Sequence, residues 1–498
     1  MNPLFEKDLY KRQYVLSNFA VDIFATANTY KINENYVVTA ESSLEVTQLS
    51  KDSVGLTLLG FLLDPQNPEF NNYEILQELL SHITTFEELL LASYRYGGKW
   101  VLIYSGKDGI KLVNDLVGAR QVYYTNHYGF LCCASQPHVL AKLCNKTRST
   151  DPELNDFWGS ESFAYSESAW IGDESRYNDV KHLLPNKYLD FTTHNVVRFW
   201  PNITIESKAL NEVVPKVSSI LQGIMKAANN RFDLSLAVSA GWDSRVLLAA
   251  ARPIIKDCYC FIQKFNGMKG SHCDIVVPQE LAKKLRFDFD VREATDYNSE
   301  FDKVLKTNVD IVQSENKKVL YYDFYKNFSN KVNVSGVVGE LSRSRFGKNR
   351  PVSAKALAKI FGRDDSPYAI RMAEQWLKEV KENKIVETGV SLWDLFYWEH
   401  YIGNWGTSFQ AGLDIAVDEL YPFNCRDIIE QSYSLKDLSY ENSPLFIGLI
   451  NEMWPEALSE PVNPTTRIEK LIKLAKKLLR KIGFFNQVKV VYYRLCKS

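Results

Sequence analysis

Up to about residue 200, short apolar runs alternate with turn residues. The runs at 36–38, 54–63, 100–104, 121–124 and 130–134 have the length and the aromatic or β-branched content of strands. Gly97-Gly98 and the Lys-Asp-Gly at 107–109 punctuate them. Helical spacing interrupts near 74–82 and 87–94. From about 207 the period changes. A helix is expected at 210–228, then a short apolar strand at 234–238, a polar loop, and a helix at 245–251. A second strand at 258–263 and a helix at 274–285 follow. Strands alternating with helices predict a parallel sheet with helices on its faces. From about 368 to 482 the pattern is mostly helical, and no internal repeat is seen.

With 498 residues the chain exceeds the ~250–300 that one core serves, so two domains are expected, 1–203 and 204–498, divided near Pro201. The composition, 45% hydrophobic and 24% charged, is globular rather than disordered. A net charge of −1 gives no support to a polyanionic partner. The eight cysteines include no Cys-x-x-Cys pair, and Cys258 and Cys260 are read as facing opposite sides of a strand. That argues against a zinc site or disulfide frame and for a reducing cytoplasm. No signal-peptide pattern opens the chain, and no apolar run reaches the ~20 residues of a membrane span.

The chemistry-bearing stretch is Ser-Ala-Gly-Trp-Asp-Ser at 239–244, between the strand ending at Val238 and a helix expected to begin around Ser244. Ser239, Ala240 and Gly241 are small enough for a phosphate to approach the backbone. Free N–H groups and a helix N-terminus make an anion site, and Ser239 and Ser244 add hydroxyls. Asp243 is an odd neighbour for a phosphate unless it holds Mg²⁺. On the local pattern alone, a plain strand–turn–helix joint capped by Asp243 or Ser244 fits as well. No Gly-Lys-Ser/Thr follows, so this is not a Walker loop.

The stretch resembles the Ser-Gly-Gly-x-Asp-Ser loop of the ATP pyrophosphatases, in particular the asparagine synthetase family, with Ala240 in place of a glycine. Three further stretches match that family in order. Asn114 to Tyr124, with Leu131-Cys-Cys-Ala-Ser135, resembles its N-terminal domain. Val334-Ser-Gly-Val-Val-Gly-Glu340 resembles its second synthetase loop, and Asp418-Glu-Leu-Tyr-Pro-Phe423 its Glu-x-Arg-x-Pro-Phe segment. The resemblance implies an Ntn-hydrolase-like αββα sandwich, followed by a parallel-sheet α/β synthetase domain with a helical C-terminal part.

It also implies a reaction. A carboxylate attacks the α-phosphate of ATP, pyrophosphate leaves, and an amine or ammonia displaces AMP from the acyl-adenylate to form an amide. Ser239, Ala240, Gly241, Asp243 and Ser244, with Gly336 of the second loop, would hold the nucleotide. Asp243 and Glu340 would share Mg²⁺ and act catalytically, and the backbone of Phe261, Ile262 and Gln263 would contact adenine. Arg343 and Arg345 would clamp phosphates or an acidic substrate.

The departures are specific. Glutamine-using members carry a nucleophilic cysteine directly after the initiator methionine, where this chain has Asn2. The counterpart of their Asn-Gly-Glu segment reads Leu58-Leu-Gly-Phe-Leu62. The N-terminal domain is therefore expected not to hydrolyse glutamine, as in the β-lactam synthetase branch, with Asp115 structural. The family's transition-state lysine maps to Ser443, and Val337-Val338 stand where glycine or an acid is common.

Two functions follow as expectations: an amide-forming ligase acting on a small-molecule or glycan carboxylate, as in surface-polysaccharide or natural-product pathways, or a nucleotide-binding scaffold of the same fold. The resemblance leaves room for a homodimer. The amphipathic stretch 467–482 reads as a packed surface helix, or as a helix resting on the inner membrane face. Its lysines lack interleaved aromatics, which argues against nucleic acid.

Overall fold

The computed structural model describes residues 8–161, 163, 168–264, 267–293, 295–346, 350–435, 440 and 443–464. Asn2 and the amphipathic stretch 467–482 lie outside the described residues. No helix among the described residues is long and apolar enough to cross a membrane.

Twelve described strands precede residue 200: β1 (Tyr14–Ser17), β2 (Ala27–Lys31), β3 (Val37–Glu41), β4 (Val46–Lys51), β5 (Val54–Leu63), β6 (Gly97–Gly106), β7 (Gly109–Asn114), β8 (Tyr123–His127), β9 (Phe130–Ala134), β10 (Lys181–His182), β11 (Lys187–Asp190) and β12 (Asn195–Arg198). They form two antiparallel sheets, in the orders β10-β8-β9-β1-β3-β2 and β12-β11-β7-β6-β5-β4. Alternation puts Tyr14, Leu16 and Val38 of the first sheet against Leu59, Val101, Ile103 and Leu112 of the second. The outer face of the second sheet packs on the helices Asn72–His82 and Phe86–Ser93 through Leu56, Leu58, Ile75, Leu79 and Phe86. Both helices start on capping boxes, Asn71 with Glu74 and Thr85 with Glu88. The helix Pro137–Leu143 covers the outer face of the first sheet. This is an αββα sandwich.

Five strands follow: β13 (Leu234–Ala237), β14 (Tyr259–Lys264), β15 (Phe289–Glu293), β16 (Val332–Val334) and β17 (Asp418–Leu420). They form one parallel sheet in the order β15-β14-β13-β16-β17. Leu234 and Leu236 face one side, with Val246, Leu247, Val277 and Leu281 from the helices joining β13, β14 and β15. Phe261 faces the other, with Phe301, Leu305, Tyr321 and Phe324 from the helices joining β15 to β16. Period-2 alternation also corrects the cysteine reading: residues two apart share a face, and Cys258 and Cys260 are buried in the same cluster.

A polar row crosses this sheet. Ser235 Oγ donates to Asn333 Oδ1 at 3.1 Å, and Asn333 Nδ2 donates to Glu419 Oε1 at 3.1 Å. All three side chains are buried, and their residues are register partners on β13, β16 and β17. A one-residue slip would leave these groups unpaired in an apolar layer, so the row fixes the strands' alignment.

The sandwich and the parallel sheet meet through shared core and shared charge. One hydrophobic cluster includes Phe61, Leu116 and Val117 together with Val217, Leu221 and Leu420. Asp418, at the head of β17, receives Arg12 at 3.0 Å, Arg120 at 3.1 Å and Lys99 at 3.6 Å. Burial alone would raise its carboxyl, but Arg120, Arg12 and Lys99 hold it well below the usual carboxylate range. Asn424 donates to Asp115 Oδ1 at 3.0 Å and to the Gly98 carbonyl at 2.8 Å.

Burial pushes the Glu419 carboxyl up to about 7. The folded state then holds this proton more tightly than the unfolded chain. The stability present at low pH is lost as pH rises between the ordinary value near ~4.5 and about 7, by a few kcal/mol at roughly 1.4 per pH unit. Denaturant unfolding at pH 5 and pH 8 should show Glu419→Gln gaining on the parent chain at the higher pH. A stability difference independent of pH would contradict this.

Candidate functional site

In the strand order, the chain moves from β13 outward through β14 and β15, then returns to β16 on β13's other side. The connecting helices leave on opposite faces, so a crevice opens beyond the carboxyl ends of β13 and β16. Ligands of open α/β sheets bind at such a switch point. The loops that leave these two strands are 238–241 and 335–340, the two stretches singled out in the sequence.

The first loop is tighter than expected. The helix begins at Trp242, two residues earlier than the sequence pattern indicated, with Gly241 as its extended N-cap. Asp243 and Ser244 are thus in its first turn rather than capping it. Ser244 Oγ lies 3.0 Å from Ser239 Oγ and accepts from Ser239 N at 3.1 Å, while Gly241 N donates to Ser239 Oγ at 3.2 Å. Ala240 N–H is taken by Asp274 Oδ1 at 2.9 Å. Several N–H groups expected to be free are therefore bonded within the loop or to a carboxylate. The first intrahelical bond here is Arg245 N to Gly241 O at 3.2 Å, so the N–H groups of Trp242, Asp243 and Ser244 precede it at the positive end of the helix. Arg245, fully buried, donates to the carbonyls of Ala457 and Glu460, and Asn463 N donates to Ala240 O, which ties the segment 457–463 along the loop.

The second loop packs directly on Asp243. A Cβ at Gly336 would stand 2.7 Å from Asp243 Cβ, and one at Gly339 would stand 2.8 Å from Asp243 Oδ1. Only glycine permits that approach. The helical turn Val337–Arg343 then carries Glu340 and Arg343. Arg343 Nη2 donates to both Asp243 oxygens, at 3.0 and 2.9 Å. Arg345 Nη1 donates to Glu340 Oε2 at 3.0 Å, and Tyr397 Oη donates to the same oxygen at 2.7 Å. Each carboxylate expected to share a cation thus carries an arginine. Burial, opposed by Arg343 and reinforced by Glu340, pushes the Asp243 carboxyl up to about 6.

Arg343 is 5% exposed, and its Nε has no hydrogen-bond partner among the described residues. Its guanidinium carbon lies 4.4 Å from the Tyr440 ring centroid and 4.8 Å from that of Phe446. Ser443 lies between these two residues, buried, in a left-handed conformation (φ 43°), with Oγ donating to Tyr440 O at 2.9 Å. Tyr440 and Phe446, on either side of Ser443, are therefore faced by an arginine from the second loop.

Phe261 is occupied in the fold: its carbonyl accepts from Val238 N at 2.9 Å, and its ring packs with Tyr259, Phe324 and Phe328. Ile262 pairs with Val291 on β15. Gln263 is buried, with Oε1 lacking a partner among the described residues. Asp115 is fully engaged, accepting from the N–H groups of Trp100, Ala119 and Arg120 and from Asn424. The stretch 58–62 lies inside β5, with Leu58, Leu59, Phe61 and Leu62 buried, and offers no polar side chain. The head of β1 is reached through Arg12 and Gln13, which donate to the carbonyls of Asp414 and Asn308, both at 2.5 Å. Sequence reading missed Asp274, Tyr397 and Tyr440. Asp274 alone had a signal, as an acid in the first turn after β14, the place Asp243 holds after β13.

No family model and no curated protein matches the chain. Among solved structures, an NH3-dependent NAD synthetase from Campylobacter jejuni, solved with a nitrate ion, aligns at 12% identity over 40% of this chain and 96% of its own, with a TM-score of 0.22. A glutamine-dependent NAD+ synthetase from Acinetobacter baumannii in complex with ADP aligns at 12% identity over 40% of this chain and 45% of its own, with a TM-score of 0.20. A glutamine phosphoribosylpyrophosphate amidotransferase from B. subtilis, complexed with ADP and GMP, aligns at 10% identity over 63% and 90%, with a TM-score of 0.24. Likenesses this distant decide nothing about the site.

The contact between the loops is testable through Gly336. Gly336→Ala should lower unfolding free energy by about 1–3 kcal/mol, the usual cost of overpacking. Gly270→Ala, where a Cβ meets open space, should change little. Equal denaturation midpoints for the two variants would contradict the packing described.

Proposed function

We propose that this chain binds ATP at the switch point of its parallel sheet and activates a carboxylate as an acyl-adenylate for amide formation, without a glutaminase of its own. The observation that carries the reading is the convergence of the loops after β13 and β16. A helix N-terminus, two hydroxyls and two arginines gather there beside Asp243 and Glu340. Such a set suits a polyphosphate, whose negative charge is met by helix-end N–H groups and guanidinium donors. In the reaction, a carboxylate oxygen bonds to the α-phosphorus and the bond to the β-phosphate oxygen breaks. The 239–244 loop and Arg343 would hold the departing pyrophosphate. The αββα sandwich would then act as a scaffold, since Asn2 stands where glutamine-using members carry cysteine and the buried 58–62 stretch offers no polar glutamine grip.

Magnesium does not fit the residues as arranged. Asp243 and Glu340 are each already ion-paired, so the two pairs have no net negative charge to hold a divalent ion. Among the described residues, the group of three acidic, His or Cys side chains close enough to share an ion is His272, Cys273 and Asp274 instead. These pairings also favour a second reading, nucleotide binding without turnover.

Incubating the chain with ATP, an amine and a panel of small-molecule and uronic carboxylates separates the two. AMP and pyrophosphate formed in equal amounts, dependent on one carboxylate, are expected for the ligase. ATP binding with no AMP from any carboxylate would contradict it and leave the second reading.

A further inference from the structure

Arg343 and Asp243 come from different strand ends, 100 residues apart, and meet inside the site. The guanidinium is not a surface clamp. It is 5% exposed, wedged between the rings of Tyr440 and Phe446, and fixed on one side by both Asp243 oxygens. Its Nε, also buried, has no hydrogen-bond partner among the described residues. Leaving a charged group's donor unmet costs more than leaving a neutral one. The groups around the guanidinium say what kind of ligand the cluster suits. The N–H groups of Trp242, Asp243 and Ser244 head the helix alongside, and Arg345 adds a second guanidinium, 44% exposed, at Glu340.

We propose that the polyphosphate grip of this site is made by arginine rather than by a divalent cation: Arg343, held by Asp243, supplies the positive charge to a pyrophosphate group seated on the 239–244 helix end, with Arg345 as its outer partner. The proposal rests on the nucleotide reading above and deepens it. Asp243 becomes a positioning residue that orients the guanidinium, not a metal ligand. A guanidinium suits the task because it stays charged, loses little hydration and forks toward two phosphate oxygens. The occupied carboxylates suit this grip, since an ion pair already in place needs no metal to balance it.

The test is calorimetric titration of the full chain with inorganic pyrophosphate and with ATP, each in EDTA and in excess magnesium. Dissociation constants in the two conditions should agree within about threefold. Arg343→Gln should weaken binding by roughly tenfold or more, the worth of a charge-assisted hydrogen bond. Asp243→Asn loses the ion pair but keeps one acceptor oxygen beside the guanidinium, so pyrophosphate binding in EDTA should weaken, by less than in Arg343→Gln. Binding that appears only with magnesium would overturn the proposal while leaving the nucleotide reading intact, as would an Arg343→Gln variant that binds as tightly as the parent chain. Failure of both anions to bind in either condition would overturn both. The comparison of EDTA with magnesium uses the unaltered chain, so it stands even if Arg343→Gln does not fold.

Discussion

The hydrogen-bonded row Ser235–Asn333–Glu419 is the constraint on which the site depends. In a parallel sheet buried on both faces, apolar side chains alone specify register weakly. Three polar groups that satisfy one another only when level specify it strongly. With β13 and β16 held level, Leu236 pairs with Val334, and the two loops leave the sheet at the same height. Gly336 can then lie against Asp243, and Arg343 can reach back to the same carboxylate. The raised carboxyl of Glu419 is the cost of placing an acid in that row.

The site built on this register is electrically compact. Two acids and two arginines form two pairs within a few residues of a helix N-terminus, and Tyr397 and Tyr440 wall the arginines in. An anion entering would meet guanidinium and N–H donors without first displacing an ion. The same pairs make the carboxylates poor hosts for a divalent cation, because each would have to give up a charge-assisted partner.

The sequence carried the architecture well where a local pattern decides it. Apolar runs and capping residues marked the strands and helices, and the strand–loop–helix at 234–250 marked the sheet's central crossing. The helix start was misplaced because Trp242 and Asp243 look like loop residues until Gly241 is seen as the cap. Cys258 and Cys260, two apart along the strand direction, share one buried cluster, as period-2 alternation requires. What the residues could not show was pairing. Arg343 with Asp243 spans 100 positions and Asp274 with Ala240 spans 34, and nothing in the local pattern says that these groups will meet. The arginines were visible as donors, but the acids they would neutralise were not.

The central claim, that the loops after β13 and β16 form one nucleotide site, is tested most directly by amide hydrogen exchange with and without saturating ATP. The account predicts slowed exchange in peptides covering 236–246 and 334–345, with little change in the sandwich strands β1–β12. ATP-dependent protection confined to the sandwich, or absent from both loops at saturation, would contradict it.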